Sequence, residues 1–328
     1  MSFNSIIGHT IPKRILQSAI KRERIGDAYL FIGEEGIGKR LTAINFAKAI
    51  YCREIKDDSC NICSTCHRID MMIYPNITLI EPEGNFIKIA QVRNIKEDIG
   101  YRTIDNGRKI YIIDYADRMN QEASNSFLKT LEEPEGNSTI ILITSRPYRL
   151  IPTITSRCQV IKFNPLSIDH ISDILISKKG ISQRDARFFA CLSEGKIGKA
   201  LEMDREIVRA ERDKILKIFS DSLLASASSL FRLASEFSKD RETMENILLI
   251  ISIYLRDILV FKEAREESLL INQDMISEIT LIRKRISSTE IMDIICFIHG
   301  IVISLSRNIN KELAMGELLM RIRETIKK

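Results

Sequence analysis

Glycines and a lysine follow an apolar run near the start of the chain, at the GxxxxGK spacing of a phosphate-binding loop. Glycine allows backbone conformations and close approaches that a side chain would block. Backbone N–H groups and a helix N-terminus can then face a phosphate, with the lysine as the cation. The residues predicted to surround a phosphate are Gly33, Gly36, Gly38 and Lys39. The next position, normally a Ser or Thr whose hydroxyl binds Mg²⁺, is Arg40, so the loop is poorly equipped for hydrolysis.

Four cysteines are clustered within fifteen positions, at the spacing C-x7-C-x2-C-x2-C. Thiolates at this spacing can converge on one tetrahedral Zn²⁺, and four sulfurs fill its coordination sphere, so the ion would be structural. Buried free cysteines are the alternative, but two CxxC turns in a polar context disfavour it. The adjacent His67 would find no vacant position. The predicted ligands are Cys52, Cys60, Cys63 and Cys66, and the remaining Cys158, Cys191 and Cys296 are expected in the core.

An apolar run that ends in a carboxylate predicts a second element of a nucleotide site. Residues 109–113 are predicted to form a buried strand, and Asp114 follows where a Walker B aspartate would reach Mg²⁺ through water. ATPases of this class continue with a Glu that activates the attacking water. This chain has Tyr115, which cannot be that base near neutral pH. Asp117 is expected to be a solvated or capping residue. Together, Arg40 and Tyr115 predict that hydrolysis is lost.

Arg157 lies in a predicted turn, within the sequence Thr155-Ser156-Arg157-Cys158. An isolated arginine in such a turn is usually a surface ion-pair residue. A guanidinium is also the right group to neutralise charge on a phosphoryl group during its transfer, and it can act in trans on a neighbour's nucleotide. The residues alone leave both roles open.

Alternating apolar runs and helical patterns in the first 165 residues predict the α/β layer that would position these side chains. The helix after the phosphate loop is expected to present one apolar face, made of Leu41, Ile44, Ala47 and Ile50. Further helices are predicted over 89–99 and 123–131. A parallel sheet with helices on both faces is the natural assembly. Its predicted strands are 28–32, 77–80, 109–113, 139–143 and 160–163.

Asn164 and Pro165 mark a boundary, after which only helical periodicity is found. Long amphipathic stretches such as 244–261 and 310–326 predict a helical bundle, and bundles of this kind are often assembly surfaces.

The composition of the 328-residue chain, with 45% apolar and 28% charged residues, is that of a globular protein. The net charge of +5 is compatible with a nucleic acid or an acidic protein as partner but does not require one. No uninterrupted apolar stretch of about 18 residues and no basic segment followed by a long apolar one is present. We therefore expect no membrane span and a cytoplasmic location.

Several stretches together resemble the delta-prime family of bacterial DNA polymerase III clamp-loader subunits, within the AAA+ superfamily. They are residues 7–9, 27–31, the cysteine quartet, 125–134, 150–158 and, more faintly, 310–319. The resemblance implies an AAA+ P-loop domain at 1–165, with a parallel sheet and an inserted zinc module at 52–66. It further implies a small helical lid domain at 166–205 and an all-α collar domain at 206–328.

The resemblance also implies roles for single residues. Arg157 matches the arginine finger that is offered to the ATP site of the adjacent motor subunit. The cysteines match the zinc module, with seven residues in the first gap where eight is common. Thr144 falls at the sensor position, and Lys199 at the second sensor position, where active relatives carry Arg. A residual site for ATP or ADP, without hydrolysis, would consist of Gly33, Gly36, Gly38, Lys39, Asp114, Thr144 and Lys199.

By this resemblance the chain would be a stator with no ATPase or polymerase activity of its own, within a DNA polymerase holoenzyme. It would bind the gamma/tau motor subunits and the delta subunit through the collar. Through the complex it would meet the sliding clamp and primed DNA. The family's motor subunits keep Ser or Thr after the loop lysine and Glu after the Walker B aspartate, and this chain keeps neither.

Three other functions are compatible with parts of the sequence. One is an ATP-hydrolysing, gamma/tau-type motor subunit, and another is an autonomous P-loop ATPase or small-molecule kinase. The third is a zinc-containing nucleic-acid-binding protein. For that class the sequence has neither an aromatic RNA-binding motif nor a zinc-finger His pair, and it contains no Trp for base stacking.

Overall fold

Five strands form one sheet in the computed structural model, which describes residues 2–100, 107–132, 136–219, 227–307 and 309–327. The strands are β1 (Ala28–Ile32), β2 (Ile77–Ile80), β3 (Lys109–Ile113), β4 (Ser138–Thr144) and β5 (Gln159–Lys162). Their order is β2-β3-β4-β1-β5, and every neighbouring pair is parallel. The carboxyl ends of all five strands therefore lie at one edge. All five predicted strands are confirmed to within one residue at each end.

Six helices accompany the sheet in the described residues up to 165. They are α1 (Thr10–Lys21), α2 (Lys39–Tyr51), α3 (Ser64–Asp70), α4 (Ile89–Gly100), α5 (Gln121–Glu132) and α6 (Pro152–Thr155). Single turns of 3₁₀ helix occupy Phe3–Ser5, Ala116–Arg118 and Pro147–Arg149. The predicted helices over 89–99 and 123–131 are confirmed. Glu133 and Pro134, which end one of the stretches that carry the family resemblance, lie outside the described residues.

Helices cover both faces of the sheet, as predicted. Successive side chains of a strand point to opposite faces. Tyr29 and Phe31 of β1 accordingly share one core with Phe46 of α2. Leu30 lies in a second core with Phe127 of α5. Strands β3 and β4 are buried along their full length, which is typical of a parallel sheet with two covered faces.

The buried face of α2 differs from the predicted one. Ala43, Phe46 and Ala47 are fully buried, whereas Leu41 is 37% exposed and Ile44 is only half-buried. The predicted face is right at Ala47, and Ile44 and Ile50 pack against the same core, but it was wrong at Leu41. Helix α2 is covered on several sides, by β3 and β4 and by α1 and α3. The small alanines allow its close approach to the sheet.

The chain divides into two compact units, residues 1–170 with 195–199 and residues 171–194 with 200–328. No strand occurs among the described residues from 163 onward. The helices, which confirm the predicted helical second half, are α7 (Ile168–Lys179), α8 (Gln183–Leu192), α9 (Ile197–Glu202), α10 (Arg205–Phe219), α11 (Ala227–Phe237), α12 (Arg241–Ala264), α13 (Ile276–Ile282), α14 (Ser288–Ser304) and α15 (Lys311–Lys327). Helix α12 packs against α8, α10, α11, α13 and α14, and α11 packs against α15.

Within the described ranges, none of the helices combines the length and the apolar composition needed to cross a membrane.

Candidate functional site

The glycine loop joins β1 to α2 at the carboxyl edge of the sheet. A Cβ atom on Gly33 would lie 2.5 Å from the carbonyl oxygen of Phe163 and 2.6 Å from Ile37 Cδ1, so only glycine fits there. Gly36 and Gly38 have φ angles of +78° and +104°, which other residues rarely adopt. The loop therefore has the shape that a phosphate group requires.

His9 contacts the backbone of the glycine loop. Its backbone is left-handed, with φ of 48°, and its Nε2 lies 2.7 Å from the carbonyl oxygen of Ile37. Burial lowers the pKa of His9, so the neutral imidazole with Nε2–H as donor is the form that fits. The stretch 7–9 that carries part of the family resemblance thus has a physical role.

Lys39 is 6% exposed and points back into the loop. Its Nζ donates hydrogen bonds to the carbonyl oxygens of Gly33 at 2.6 Å and Glu34 at 2.5 Å. Burial lowers the pKa of Lys39, and nearby carboxylates act in the opposite direction. Those carboxylates belong to Asp114, Glu35, Asp117 and Glu34. The loop lysine is therefore in place, in an environment rich in negative charge.

Arg40 forms an ion pair with two carboxylates at the ends of β2 and β3. Its Nη1 lies 2.5 Å from Glu81 Oε1 and 3.7 Å from Asp114 Oδ2. Burial raises the pKa of Asp114, while the Tyr115 backbone N–H and the charge of Arg40 oppose this rise. The Walker B carboxylate thus faces a guanidinium.

Tyr115 links the end of β3 to the phosphate loop. Its backbone is left-handed, with φ of 52°, and its hydroxyl donates a 2.6 Å hydrogen bond to Glu35 Oε1. This bond, with burial, raises the pKa of Tyr115 to about 12. The guanidinium of Arg118 lies over the Tyr115 ring, 4.7 Å from its centroid. The phenol is a donor with a fixed partner and has no character of a general base.

Thr144 lies at the end of β4, and its hydroxyl is already engaged. Its Oγ1 donates to Asp117 Oδ1 at 2.6 Å and accepts from the Arg146 backbone N–H at 2.9 Å. The expectation that Asp117 is a solvated or capping residue was wrong. The 3₁₀ turn after β3 brings its carboxylate back to the neighbouring strand end, where it orients the threonine.

Residues 195–199 lie beside the loop, within the same compact unit. The Gly198 backbone N–H donates to the Gly36 carbonyl oxygen at 2.8 Å, and Lys196 Nζ lies 3.0 Å from Glu34 Oε2. The backbone nitrogen of Lys199 is 3.9 Å from the position that a Cβ of Gly36 would take. All seven residues predicted for the nucleotide site therefore lie on strand ends or segments around one loop.

Four further carboxylates lie at this site and were not predicted as part of it: Glu34, Glu35, Glu81 and Asp117. Glu81 directly follows β2, and polar residues that follow parallel strands meet at the same edge of the sheet. The position of Glu81 directly after a predicted strand could therefore have placed it at this site. The bond between Tyr115 and Glu35 joins residues 80 positions apart, and no spacing rule predicts it.

The four clustered cysteines converge, as predicted. Their sulfur atoms all lie within 4.8 Å of one another, and the Sγ atoms of Cys60 and Cys66 are 3.9 Å apart. Sulfurs at the corners of a tetrahedron around Zn²⁺ are about 3.8 Å apart. The cluster is compatible with a structural zinc ion, and the exposed His67 is not part of it.

Backbone N–H groups point at these sulfurs. The Cys60 N–H donates to Cys52 Sγ at 3.3 Å, and the Cys63 N–H donates to Cys60 Sγ at 3.3 Å. Hydrogen bonds from the Ile62 and Cys63 backbone lower the pKa of Cys60 to about 6. Burial raises the pKa of Cys66 to about 12. A cation is the group that would hold both sulfurs as thiolates.

A fully buried lysine of α2 anchors the segment that carries the cysteines. Lys48 Nζ donates to Asn61 Oδ1 at 2.6 Å and lies 2.8 Å from Asp70 Oδ2 at the end of α3. The buried Asp58 accepts from the backbone N–H groups of Phe3 at 2.8 Å and Asn4 at 3.3 Å. The module is thus bonded to both the helix and the N-terminal turn.

The remaining cysteines follow the prediction only in part. Cys158 and Cys191 are half-buried, and burial raises the pKa of Cys158 to about 12. Cys296 is exposed on α14, so its placement in the core was wrong. Its apolar neighbours in the sequence suggested burial, but α14 leaves part of its apolar surface uncovered.

Arg157 lies in the turn between α6 and β5, with its side chain 36% exposed. Its Nη2 lies 2.6 Å from Glu132 Oε1, and its Nη1 donates to the carbonyl oxygen of Thr153 at 3.0 Å. Among the described residues, no hydrogen bond or ion pair joins Arg157 to the nucleotide-site residues of its own chain.

The sheet order, the glycine loop after β1 and the aspartate after β3 define a P-loop protein of the AAA+ class. Its residues 8–167 match the family described as "DNA polymerase III, delta subunit", and residues 209–324 match "DNA polymerase III, delta subunit, C terminal".

Individual relatives agree with this match. DNA polymerase III subunit delta' of Bacillus subtilis is 31% identical over 315 residues, which is 95% of this chain and 95% of that protein. Subunit delta' of Pseudomonas aeruginosa is 36% identical over 140 residues, 42% of this chain and 43% of its own. Subunit tau of Bacillus subtilis is 28% identical over 249 residues, 76% of this chain but only 40% of its own. The chain belongs to the delta-prime family of DNA polymerase III clamp-loader subunits.

The buried anchor of the cysteine module yields a test of stability. We expect Lys48→Met to lower the free energy of unfolding by about 2 kcal/mol, because Asn61 and Asp70 lose their shared charged donor. Urea denaturation followed by circular dichroism measures this change.

The matched control is Lys21→Met. Lys21 also pairs with a carboxylate of the module, Asp57 at 2.9 Å, but its side chain is 61% exposed. Its removal should cost less than about 1 kcal/mol. Equal losses in the two variants would contradict an anchoring role for Lys48.

Proposed function

We propose that this chain is the stator of the clamp loader, a subunit that hydrolyses no ATP and supplies Arg157 in trans to a neighbouring motor subunit. The observation that carries the proposal is the state of its own catalytic positions. Arg40 stands where a metal-binding hydroxyl is needed and is paired with Glu81, and Tyr115 stands where a base is needed and is bonded to Glu35. Neither side chain can perform the missing step.

The setting of Arg157 supports a role outside its own chain. Its guanidinium is at the surface and is held by a single carboxylate, Glu132. A surface ion pair of this kind contributes about 0–1 kcal/mol, so a phosphate group could replace Glu132 at little cost. The short turn after α6 fixes the backbone, and the Thr153 carbonyl orients the second guanidinium nitrogen.

The proposed partners are the gamma/tau motor subunits and the delta subunit, which would bind the collar at 206–328. The other proposed domains are the P-loop domain at 1–165 and a lid at 166–205. Large apolar side chains exposed on α14 and α15 support a docking role for these helices. They include Met292 and Leu313, which are 48% and 70% exposed. The sliding clamp and primed DNA would be reached through the complex, in the cytoplasm.

The cysteine module is proposed to hold one structural zinc ion, through Cys52, Cys60, Cys63 and Cys66. The convergence of four sulfurs and the backbone N–H groups directed at them support this assignment. When bound, zinc would supply no chemistry beyond cross-linking the segment between α2 and α3.

A gamma/tau-type motor is the second candidate, favoured by the similarity to subunit tau. It requires Mg²⁺ and a general base at the loop, and the chain offers Arg40 and Tyr115 at those positions. The stator therefore accounts for the site better.

Arg157→Ala provides the test of the trans role in the assembled loader. We expect assembly to be intact and hydrolysis at the one motor site that receives Arg157 to slow by about 10³-fold, since an arginine finger contributes about this much. Single-turnover measurement of bound ATP should show one slow fraction that is absent with the unmodified chain.

Arg149→Ala is the matched control, because Arg149 is an exposed arginine in the neighbouring 3₁₀ turn. It should leave every ATP site at its normal rate. A loader whose single-turnover kinetics are the same with Arg157→Ala would remove the finger assignment.

The zinc proposal predicts one zinc ion per purified chain by elemental analysis. Cys63→Ser and Cys66→Ser should lower the zinc content several-fold, while Cys158→Ser, outside the cluster, should retain it. Zinc-free chain with an unchanged unfolding curve would count against a structural ion.

A further inference from the structure

We propose that the P-loop of this chain binds a nucleoside diphosphate without a divalent metal ion, and that the guanidinium of Arg40 takes the place of that ion. The inference deepens the proposed function, because it assigns a ligand to the residual site of a subunit that does not hydrolyse ATP. It concerns the chain's own loop and does not depend on Arg157.

The loop meets the requirements of a phosphate group. Gly33 packs against Phe163 and Ile37 with no room for a Cβ atom, and Gly36 and Gly38 hold left-handed conformations. In such a loop, left-handed glycines let successive backbone N–H groups face an anion that lies at the N-terminus of the following helix. Lys39 is nearly buried with its ammonium group inside the loop, where it can exchange a carbonyl partner for a phosphate oxygen.

Magnesium does not fit the same site. A P-loop Mg²⁺ needs the hydroxyl that follows the lysine, the Walker B aspartate and an octahedral shell of oxygens. Arg40 offers no oxygen, and its Nη1 lies 3.7 Å from Asp114 Oδ2. An ion at that carboxylate would face the guanidinium and lose the hydroxyl ligand as well.

The Arg40 guanidinium already places a positive charge beside the carboxylates that would otherwise face Mg²⁺. Arg40 makes a two-point contact with Glu81, Nη1 to Oε1 at 2.5 Å and Nη2 to Oε2 at 3.4 Å, while it faces Asp114. It therefore balances carboxylates from the ends of two neighbouring strands. Its side chain remains 42% exposed, and a guanidinium has five N–H donors, so donors are left for a phosphate.

The charges around the loop make this cation necessary for an anionic ligand. Glu34, Glu35, Asp114 and Asp117 all act on Lys39. Lys196 pairs with Glu34, and Tyr115 donates a hydrogen bond to Glu35. A diphosphate would be repelled by these carboxylates unless further cations joined Lys39. Lys196 lies at Glu34, and Arg40 is the cation that lies at Asp114.

The test uses the isolated full chain and a fluorescent ADP analogue. ADP is chosen because ATP hydrolysis then cannot change the ligand during the measurement. Binding is followed by fluorescence anisotropy in resin-treated, metal-free buffer and again with added Mg²⁺, without a chelator that would strip the cysteine cluster. The dissociation constant of the unmodified chain should agree within about twofold between the two buffers.

Arg40→Ser restores the usual hydroxyl and removes the guanidinium. It should bind ADP about tenfold or more weakly in metal-free buffer and recover on addition of Mg²⁺. Arg93→Ser, which removes an exposed arginine of α4, should behave as the unmodified chain in both buffers. Circular dichroism confirms that the variants are folded.

Three results would overturn the proposal: ADP binding by the unmodified chain only with Mg²⁺, no ADP binding in either buffer, or an Arg40→Ser variant unaffected by metal removal. The Arg157→Ala chain should bind ADP normally. A negative ADP-binding result would therefore not contradict the stator proposal. A negative result with Arg157→Ala in the loader would likewise not contradict the proposal on Arg40.

Discussion

The ion pair that Arg40 makes with Glu81 and Asp114 is the interaction on which the character of this site depends. Strands β2 and β3 end side by side, and each end carries a carboxylate. Two such carboxylates need a cation close by, because like charges in a partly buried site repel each other strongly. Arg40 supplies a positive charge at that point, close to the carboxylates of both strand ends.

The other catalytic positions are consistent with this arrangement. Tyr115 donates to Glu35, and Thr144 donates to Asp117. Each bond satisfies a polar group at the carboxyl edge of the sheet with a partner from the same chain. The result is an edge with the architecture of a nucleotide site and without its catalytic groups. Such an edge is consistent with the proposed role, in which Arg157 would act on the nucleotide of a neighbouring subunit.

The cysteine module is likewise held by polar bonds to other parts of the chain. It interrupts the α/β pattern between α2 and β2, yet it is bonded to α2 through the buried Lys48 and to the N-terminal turn through Asp58. A short segment with few apolar residues of its own needs such links, and a metal ion would add one more.

Much of the fold could be predicted because the strands are short, apolar and bounded by polar residues, a pattern that depends on local sequence alone. The cysteine cluster could be predicted because the spacing of its four ligands is also local in the sequence. The errors arose where burial depends on distant parts of the chain. Leu41 is exposed because α2 turns its alanines to the sheet, and Cys296 is exposed although its sequence neighbours are apolar. Asp117 became a partner of Thr144 only through the pairing of β3 with β4.

ATP turnover by the purified chain, alone and then mixed with motor subunits, delta subunit, clamp and primed DNA, tests the central claim most directly. Because Arg40 and Tyr115 replace the metal ligand and the base, the account predicts no turnover above background for the chain alone. It also predicts that the mixture requires the chain for full activity. Turnover by the isolated chain that is lost on Lys39→Ala would contradict the account and make this protein a motor.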